Sequence, residues 1–156
     1  MRVLLLAFSS QTARAEPARP VRSMIAGLVR LKTRADFVRV AAGRSRAVRP
    51  AFIVQAASQP TGSDNGGIVR VGFTASRKVG NAVVRNRAKR RLRAIAAEVL
   101  PRNGRPGTDY VIVARATSSE RRYADLVADL ETALRQLDRQ KTGGGPPKRV
   151  SAAAED

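Results

Sequence analysis

Apolar residues change their spacing several times along the chain, and each change marks an element. Residues 1–30 mix Arg, Pro, Ala and Ser without a lasting period and read as an extension to the domain. Thr33 and Asp36 then form a capping-box-like pair, and Phe37, Val40 and Ala41 recur at helical spacing before Gly43, which predicts a short first helix. AFIVQAA (51–57) and IVRVGFTAS (68–76) are rich in strand formers and flank SQPTGSDNGG, a dense turn signal. Their simplest arrangement is an antiparallel pair across that loop. In the second strand Val69, Val71, Phe73 and Ala75 share the core face, with Arg70, Gly72, Thr74 and Ser76 on the other.

From Asn81 to about Leu100 the period becomes helical, and Val84, Ala88, Leu92, Ile95 and Val99 form one apolar stripe. Asn81 is the expected N-cap and Pro101 the expected stop. DYVIVARA (109–116) is an almost unbroken apolar run, as expected of a strand covered on both faces. Thr117 with Glu120 opens a final helix that carries Tyr123, Leu126, Val127, Leu130, Leu134 and Leu137. The order helix-strand-strand-helix-strand-helix predicts an α+β fold, a small two-layer sandwich with a three- or four-stranded sheet. The domain is expected over residues 31–141. Residues 1–30 are expected to be a disordered extension, or one preceding a true start at Met24, and 142–156 a disordered tail.

Length and charge sharpen this picture. A chain of 156 residues suits one core. Thirty basic residues against twelve acidic ones give a formal charge of +18, which calls for a polyanionic partner, nucleic acid foremost. Twenty basic and three acidic residues fall in 1–97, against ten and nine in 98–156, so the partner surface belongs to the first two thirds. With no Cys and no His, disulfides, thiolate or imidazole zinc sites and Ser-His or Cys-His dyads are excluded. The N-terminal MRVLLLAFSSQTARAEP resembles a secretory signal, but its apolar run, Val3 to Phe8, is six residues where about 7–15 are needed. No segment approaches the roughly 20 apolar residues of a membrane span. A cytoplasmic protein with no membrane partner is the expectation.

The charge is densest in RNRAKRRLR (85–93), six cations in nine residues with no acid. Arg85, Lys89 and Arg93, at i, i+4 and i+8, form a ridge expected to lie away from the apolar stripe, flanked by Asn86 and Arg90. An ordinary solvated helix face alternates charge signs; this one does not. Arg77 and Lys78 stand just before it, with Gly80 and Asn81 in the turn that leads to the helix N-terminus. The spacing of Gly72 and Lys78 imitates a phosphate-binding loop, but Arg77 stands where its second Gly belongs and Val79 where Ser or Thr belongs.

Strand, turn and helix together, GFTASRKVGNAVVRNRAKRRLR (72–93) resembles the signature of the bacterial ribonuclease P protein subunit. The similarity extends to RLKTRADF, FIVQ, the DYVIVAR strand and the last helix, roughly residues 30 to 138. The resemblance implies a ribosomal S5 domain 2-like fold with a left-handed strand-helix-strand crossover, against the usual hand. It implies a noncatalytic subunit that binds a catalytic RNA, one protein per RNA, and assists removal of the 5′ leader from precursor tRNA. The chemistry would be done by Mg²⁺ held by the RNA and substrate, with no metal or cofactor bound by the protein and no protein catalytic residue. Arg77, Lys78, Asn81, Arg85, Asn86, Arg87, Lys89, Arg90 and Arg93 would face the RNA subunit. Phe37, Ile53, Gln55, Thr74 and Ser76 would line a leader cleft between the first helix and the sheet. Family members often place aromatics where this chain has Ala41 and Gln55, so Phe37 is the clearest base-stacking side chain.

A ribosomal or general structured-RNA-binding protein is the competing reading, disfavoured by the whole 72–93 pattern. A protein nuclease would need clustered acids, whereas Asp36, Asp64, Glu98 and Asp109 stand far apart in sequence. A DNA-binding helix-turn-helix is weaker still, since the basic helix follows a strand.

Overall fold

The computed structural model describes residues 24–25, 27–61 and 67–142. In chain order its elements are β1 (Met24–Ile25), β2 (Leu28–Arg30), α1 (Arg34–Ala42), β3 (Arg46–Val48), β4 (Phe52–Ser58), β5 (Arg70–Ala75), α2 (Ala82–Asn103), β6 (Thr108–Ala114) and α3 (Tyr123–Thr142). Short 3₁₀ turns at Arg77–Val79 and Ala116–Ser119 precede α2 and α3. Of the expected tails, 1–30 and 142–156, residues 1–23, 26 and 143–156 lie outside the described residues.

The most apolar strand takes the middle of the sheet. β6 runs parallel to β5 on one side and antiparallel to β4 on the other. The full order is β1-β2-β5-β6-β4-β3. The antiparallel pairing expected between β4 and β5 is therefore not made. Burial on both faces draws β6 between them, and α2 is long enough to return the chain for a parallel β5–β6 neighbourhood. The expected three or four strands become six because short strands join both edges. β2, inside the region read as extension, pairs with β5, and Leu28 is buried, so the ordered domain begins before residue 31. β3 pairs with β4 through Arg46↔Gln55, Ala47↔Val54 and Val48↔Ile53. Runs of two or three residues are too short to show a period.

Alternation along the strands sorts the core. Val71, Phe73, Tyr110, Ile112, Phe52 and Val54 face α2 and α3, where Leu92, Ile95, Val99, Leu126, Leu130 and Leu134 close over them. Burying one such side chain contributes about 1.5–3 kcal/mol. The reverse face carries a smaller cluster of Leu31, Val40 and Val111, with Phe37 of α1 packed on it. α1 thus adds partial cover on the side that a two-layer sandwich leaves open. Gly104 caps α2, donating its N–H to the Leu100 carbonyl at 2.8 Å, so the helix ends at Asn103, two residues beyond the expected stop at Pro101. Pro101 sits in the exposed last turn, where the loss of one backbone donor is tolerated. The Thr117 hydroxyl donates to the Pro50 carbonyl instead of capping a helix, and α3 begins only at Tyr123.

α1 is held on the sheet by charge. Asp109 is fully buried, and Arg70 donates to its Oδ1 from Nε at 2.7 Å and to its Oδ2 from a terminal nitrogen. Arg39 of α1 donates to the same carboxylate and, at 2.7 Å, to the Ser58 carbonyl. Asp36 lies 3.5 Å from Arg70; the Thr33 hydroxyl, then Arg70 and Arg39, hold its carboxyl below its ordinary pKa. Removing one partner from a buried ion network typically costs about 3–5 kcal/mol, because the remaining charges stay desolvated. Asp109→Ala is expected to lose that much in urea unfolding; a loss below about 1 kcal/mol would mean that the network contributes little.

Candidate nucleic-acid interface

The turn into α2 is set by two residues. Gly80 has φ +147°, where a side chain would be strained, and a Cβ there would meet Val84 at 3.0 Å. Asn81 caps the helix, its Oδ1 accepting from the Val84 N–H at 3.0 Å, so much of its hydrogen-bonding capacity is spent inside the fold. Arg77 and Lys78 project from the preceding turn and are exposed, anchored by buried Val79.

Along α2, Asn86, Arg87 and Arg90 are exposed, whereas Arg85, Lys89 and Arg93 are half-buried. The ridge therefore borders the apolar stripe and does not oppose it. Four residues advance a helix by about 400°, so a row of i+4 steps drifts around the axis and crosses the margin of the buried face. The Nε atoms of Arg85 and Arg93 are buried without a hydrogen-bond partner, so their stems pack on the domain while their terminal groups reach outward. Burial, then the charges of Arg30 and Arg90, lower the Arg93 pKa from its ordinary value. Arg30, on β2, thus adds its charge beside that of Arg93.

Arg91 has a different task. Its guanidinium donates to the Ser118 carbonyl at 3.0 Å and to the Arg121 carbonyl, tying α2 to the turn before α3. Arg77, Lys78, Arg85, Arg87, Lys89, Arg90 and Arg93 form no ion pair or side-chain hydrogen bond among the described residues. The ion pairs belong instead to Arg39, Arg70, Arg105 and Arg121. Glu98, the one acid on α2, accepts from the Tyr123 hydroxyl at 2.9 Å. A helix face meant only for solvent is usually laced with opposite charges; this one is bare of them.

On the reverse side of the sheet, Thr74, Val113, Ile53 and Val48 stand side by side across β5, β6, β4 and β3. Gln55 lies in the next row with Gly72, Val111 and Arg46. The Phe37 ring lies on Gly72, where a Cβ would approach it to 2.5 Å, so a half-buried aromatic edge borders the open row. Of the expected cleft residues, Phe37, Ile53, Gln55 and Thr74 come together on this face, while exposed Ser76 lies past the end of β5. Val48, 47 % exposed, and half-buried Val113 complete the row. Alternation within 109–116 held a signal for Val113, hidden by the reading of that strand as wholly buried.

Fold and cation placement together define a nucleic-acid-binding protein of the α+β class. A family model described as Ribonuclease P matches residues 26–138. The chain is 48% identical over 114 residues to the ribonuclease P protein component of Paramagnetospirillum magneticum, covering 73% of this chain and 86% of that one. The protein component of Ruegeria pomeroyi is 47% identical, with 74% and 90% covered. Among solved structures, the RNase P protein of Staphylococcus aureus superimposes with a TM-score of 0.55 at 27% identity, over 68% of this chain and 92% of that one. The RNase P protein from Thermotoga maritima gives 0.54 at 27% identity, over 70% and 96%. The chain belongs to the ribonuclease P protein family, whose members are subunits of a tRNA-processing ribonucleoprotein.

Division of labour on α2 is directly measurable. Arg91→Ala is expected to lower stability by about 1.5–3 kcal/mol, the loss of hydrogen bonds from a charged donor. Arg90→Ala, on the free face, is expected to change it by less than about 0.5 kcal/mol. Equal losses in thermal or urea unfolding would contradict the division.

Proposed function

We propose that the unpaired cations of α2 and its lead-in dock the catalytic RNA subunit, and that the open sheet row receives the 5′ leader of precursor tRNA. The observation that carries this reading is the segregation of charge: the described carboxylates nearest in sequence are engaged elsewhere, and apart from Arg91 the cations of residues 77–93 have no ion-pair or side-chain hydrogen-bond partner among the described residues. Arg supplies forked donors that match phosphate geometry, while Lys89 supplies a point charge. Arg85 and Arg93 bury their Nε atoms against the domain, which lowers the entropy lost when they engage a structured backbone. Arg77, Lys78, Asn86, Arg87 and Arg90 extend that surface, and Asn81 serves it through its cap.

The sheet face suits single-stranded RNA. Thr74 and Gln55 provide side-chain hydrogen bonds to exposed bases or sugars, Val113, Ile53 and Val48 provide an apolar floor, and the Phe37 edge offers the aromatic contact. α1 sets one wall of this path, so Asp109, Arg70 and Arg39 act on the substrate only through position. Mg²⁺ held by the RNA subunit and substrate would activate water for the phosphodiester step. The protein's part is to neutralise phosphates and orient the cleavage junction, one protein per RNA, in the cytoplasm. No helix among the described residues is long and apolar enough to cross a membrane.

The purified protein alone is expected to leave precursor tRNA intact, and addition of its RNA subunit with Mg²⁺ to yield mature 5′ ends. Cleavage by protein freed of RNA would overturn the noncatalytic role. In the assembled enzyme, leaderless tRNA is expected to bind more weakly than precursor; equal affinity would remove the sheet row from the substrate path.

A further inference from the structure

A second group of cations, without ion-pair partners among the described residues though Arg135 donates to the Thr132 hydroxyl at 3.3 Å, stands at the opposite edge of the sheet. Arg49 follows β3, and its side chain lies against the outer face of α3, donating to Gln136 at 3.1 Å. Arg49, Thr132, Arg135, Gln136 and Arg139 line one groove. The Nε of Arg49 is buried there with no hydrogen-bond partner. Arg49, Arg135 and Arg139 form no ion pair among the described residues, although Glu131 precedes Arg135 by one turn. Acids nearby are spent elsewhere: Asp138 pairs with Arg105 at 3.2 Å and Asp129 with Arg121 at 2.7 Å. Residues 98–156 are nearly neutral as a whole, so Arg135 and Arg139 beside Arg49 make a local excess of positive charge.

Its position gives it a partner. The open row runs from Thr74 on β5 to Val48 on β3, and Arg49 is the next residue along the chain. Four strands at about 4.8 Å spacing span roughly 14 Å, which at 3.4 Å or more per nucleotide holds at most about four nucleotides. A longer strand leaves the sheet over β3, where Arg46 is exposed on the same face as Val48. We infer that Arg49, Arg135 and Arg139, reached past Arg46, hold the phosphates of the leader's distal part. This rests on the reading of the sheet row as the leader's path, and it adds that affinity keeps growing after the row is full.

The test uses the assembled enzyme of full-length protein and RNA subunit, with precursor tRNAs whose leaders run from about two to about ten nucleotides. With unaltered protein, affinity is expected to rise beyond about four nucleotides. Arg135→Gln with Arg139→Gln is expected to abolish that later rise, a reduction of about three- to tenfold with long leaders. The slope of log affinity against log salt should also fall by about 0.7 for each phosphate that the variant no longer neutralises. Arg49→Gln should act in the same direction. Binding of the short-leader substrate and thermal unfolding of the Arg135/Arg139 variant should match the unaltered protein. A late rise that survives both variants overturns the distal site alone. Affinity reduced equally at every length, including no leader, also overturns it by placing the arginines on another part of the RNA. Affinity that never depends on the leader overturns the path itself, and the distal site with it.

Discussion

The open face of this sheet depends on one buried carboxylate. Asp109 lies in the central strand with no exposure, and its cost in lost hydration is met by two guanidinium groups, one from the neighbouring strand and one from α1. Arg70 grips it in a fork, and Arg39 ties α1 to the same oxygen and to the end of β4. The helix is thereby pinned over one end of the sheet, with Phe37 seated on Gly72. Because α1 spans only nine residues, it cannot cover the rest, and the row from Thr74 to Val48 stays accessible. An ion-pair clamp thus determines where the sheet stays open.

The same separation between charges that hold the fold and charges that face outward recurs on α2. A strongly basic chain repels itself, and acids placed at random would be drawn to the cations of residues 77–93. Here Asp36 and Asp109 are committed to Arg39 and Arg70, and Asp129 and Asp138 to Arg121 and Arg105. Arg91, chemically identical to its neighbours, is spent on backbone carbonyls. What remains free is an ordered set of donors on a helix whose other side is locked into the main core.

Much of this was legible in the sequence, because periodicity reports local burial. The stripe on α2, its Asn81 cap, the Val71–Phe73 face and the extent of α1 follow from spacing alone, and the 72–93 pattern pointed to the family to which the chain belongs. What escaped depended on distance along the chain. Nothing local to Arg39, Arg70 or Asp109 says that the three meet, since each reads as an ordinary polar position. Strand pairing was misjudged because sequence neighbours β4 and β5 are separated in space by β6, a choice governed by burial on both faces and by the reach of α2. The drift of the Arg85–Lys89–Arg93 row toward the core depends on helix geometry over two turns, which the idealised ridge ignored.

The central claim is that free cations on α2 dock an RNA and do not cut it. Its most direct test is the salt dependence of affinity for the RNA subunit, compared between the unaltered protein and Lys89→Ala with Arg90→Ala. Each neutralised phosphate contributes about 0.9 to the slope of log affinity against log salt for a duplex. The account predicts a slope shallower by about 1 to 2 with unchanged fold stability; an unchanged slope would contradict it.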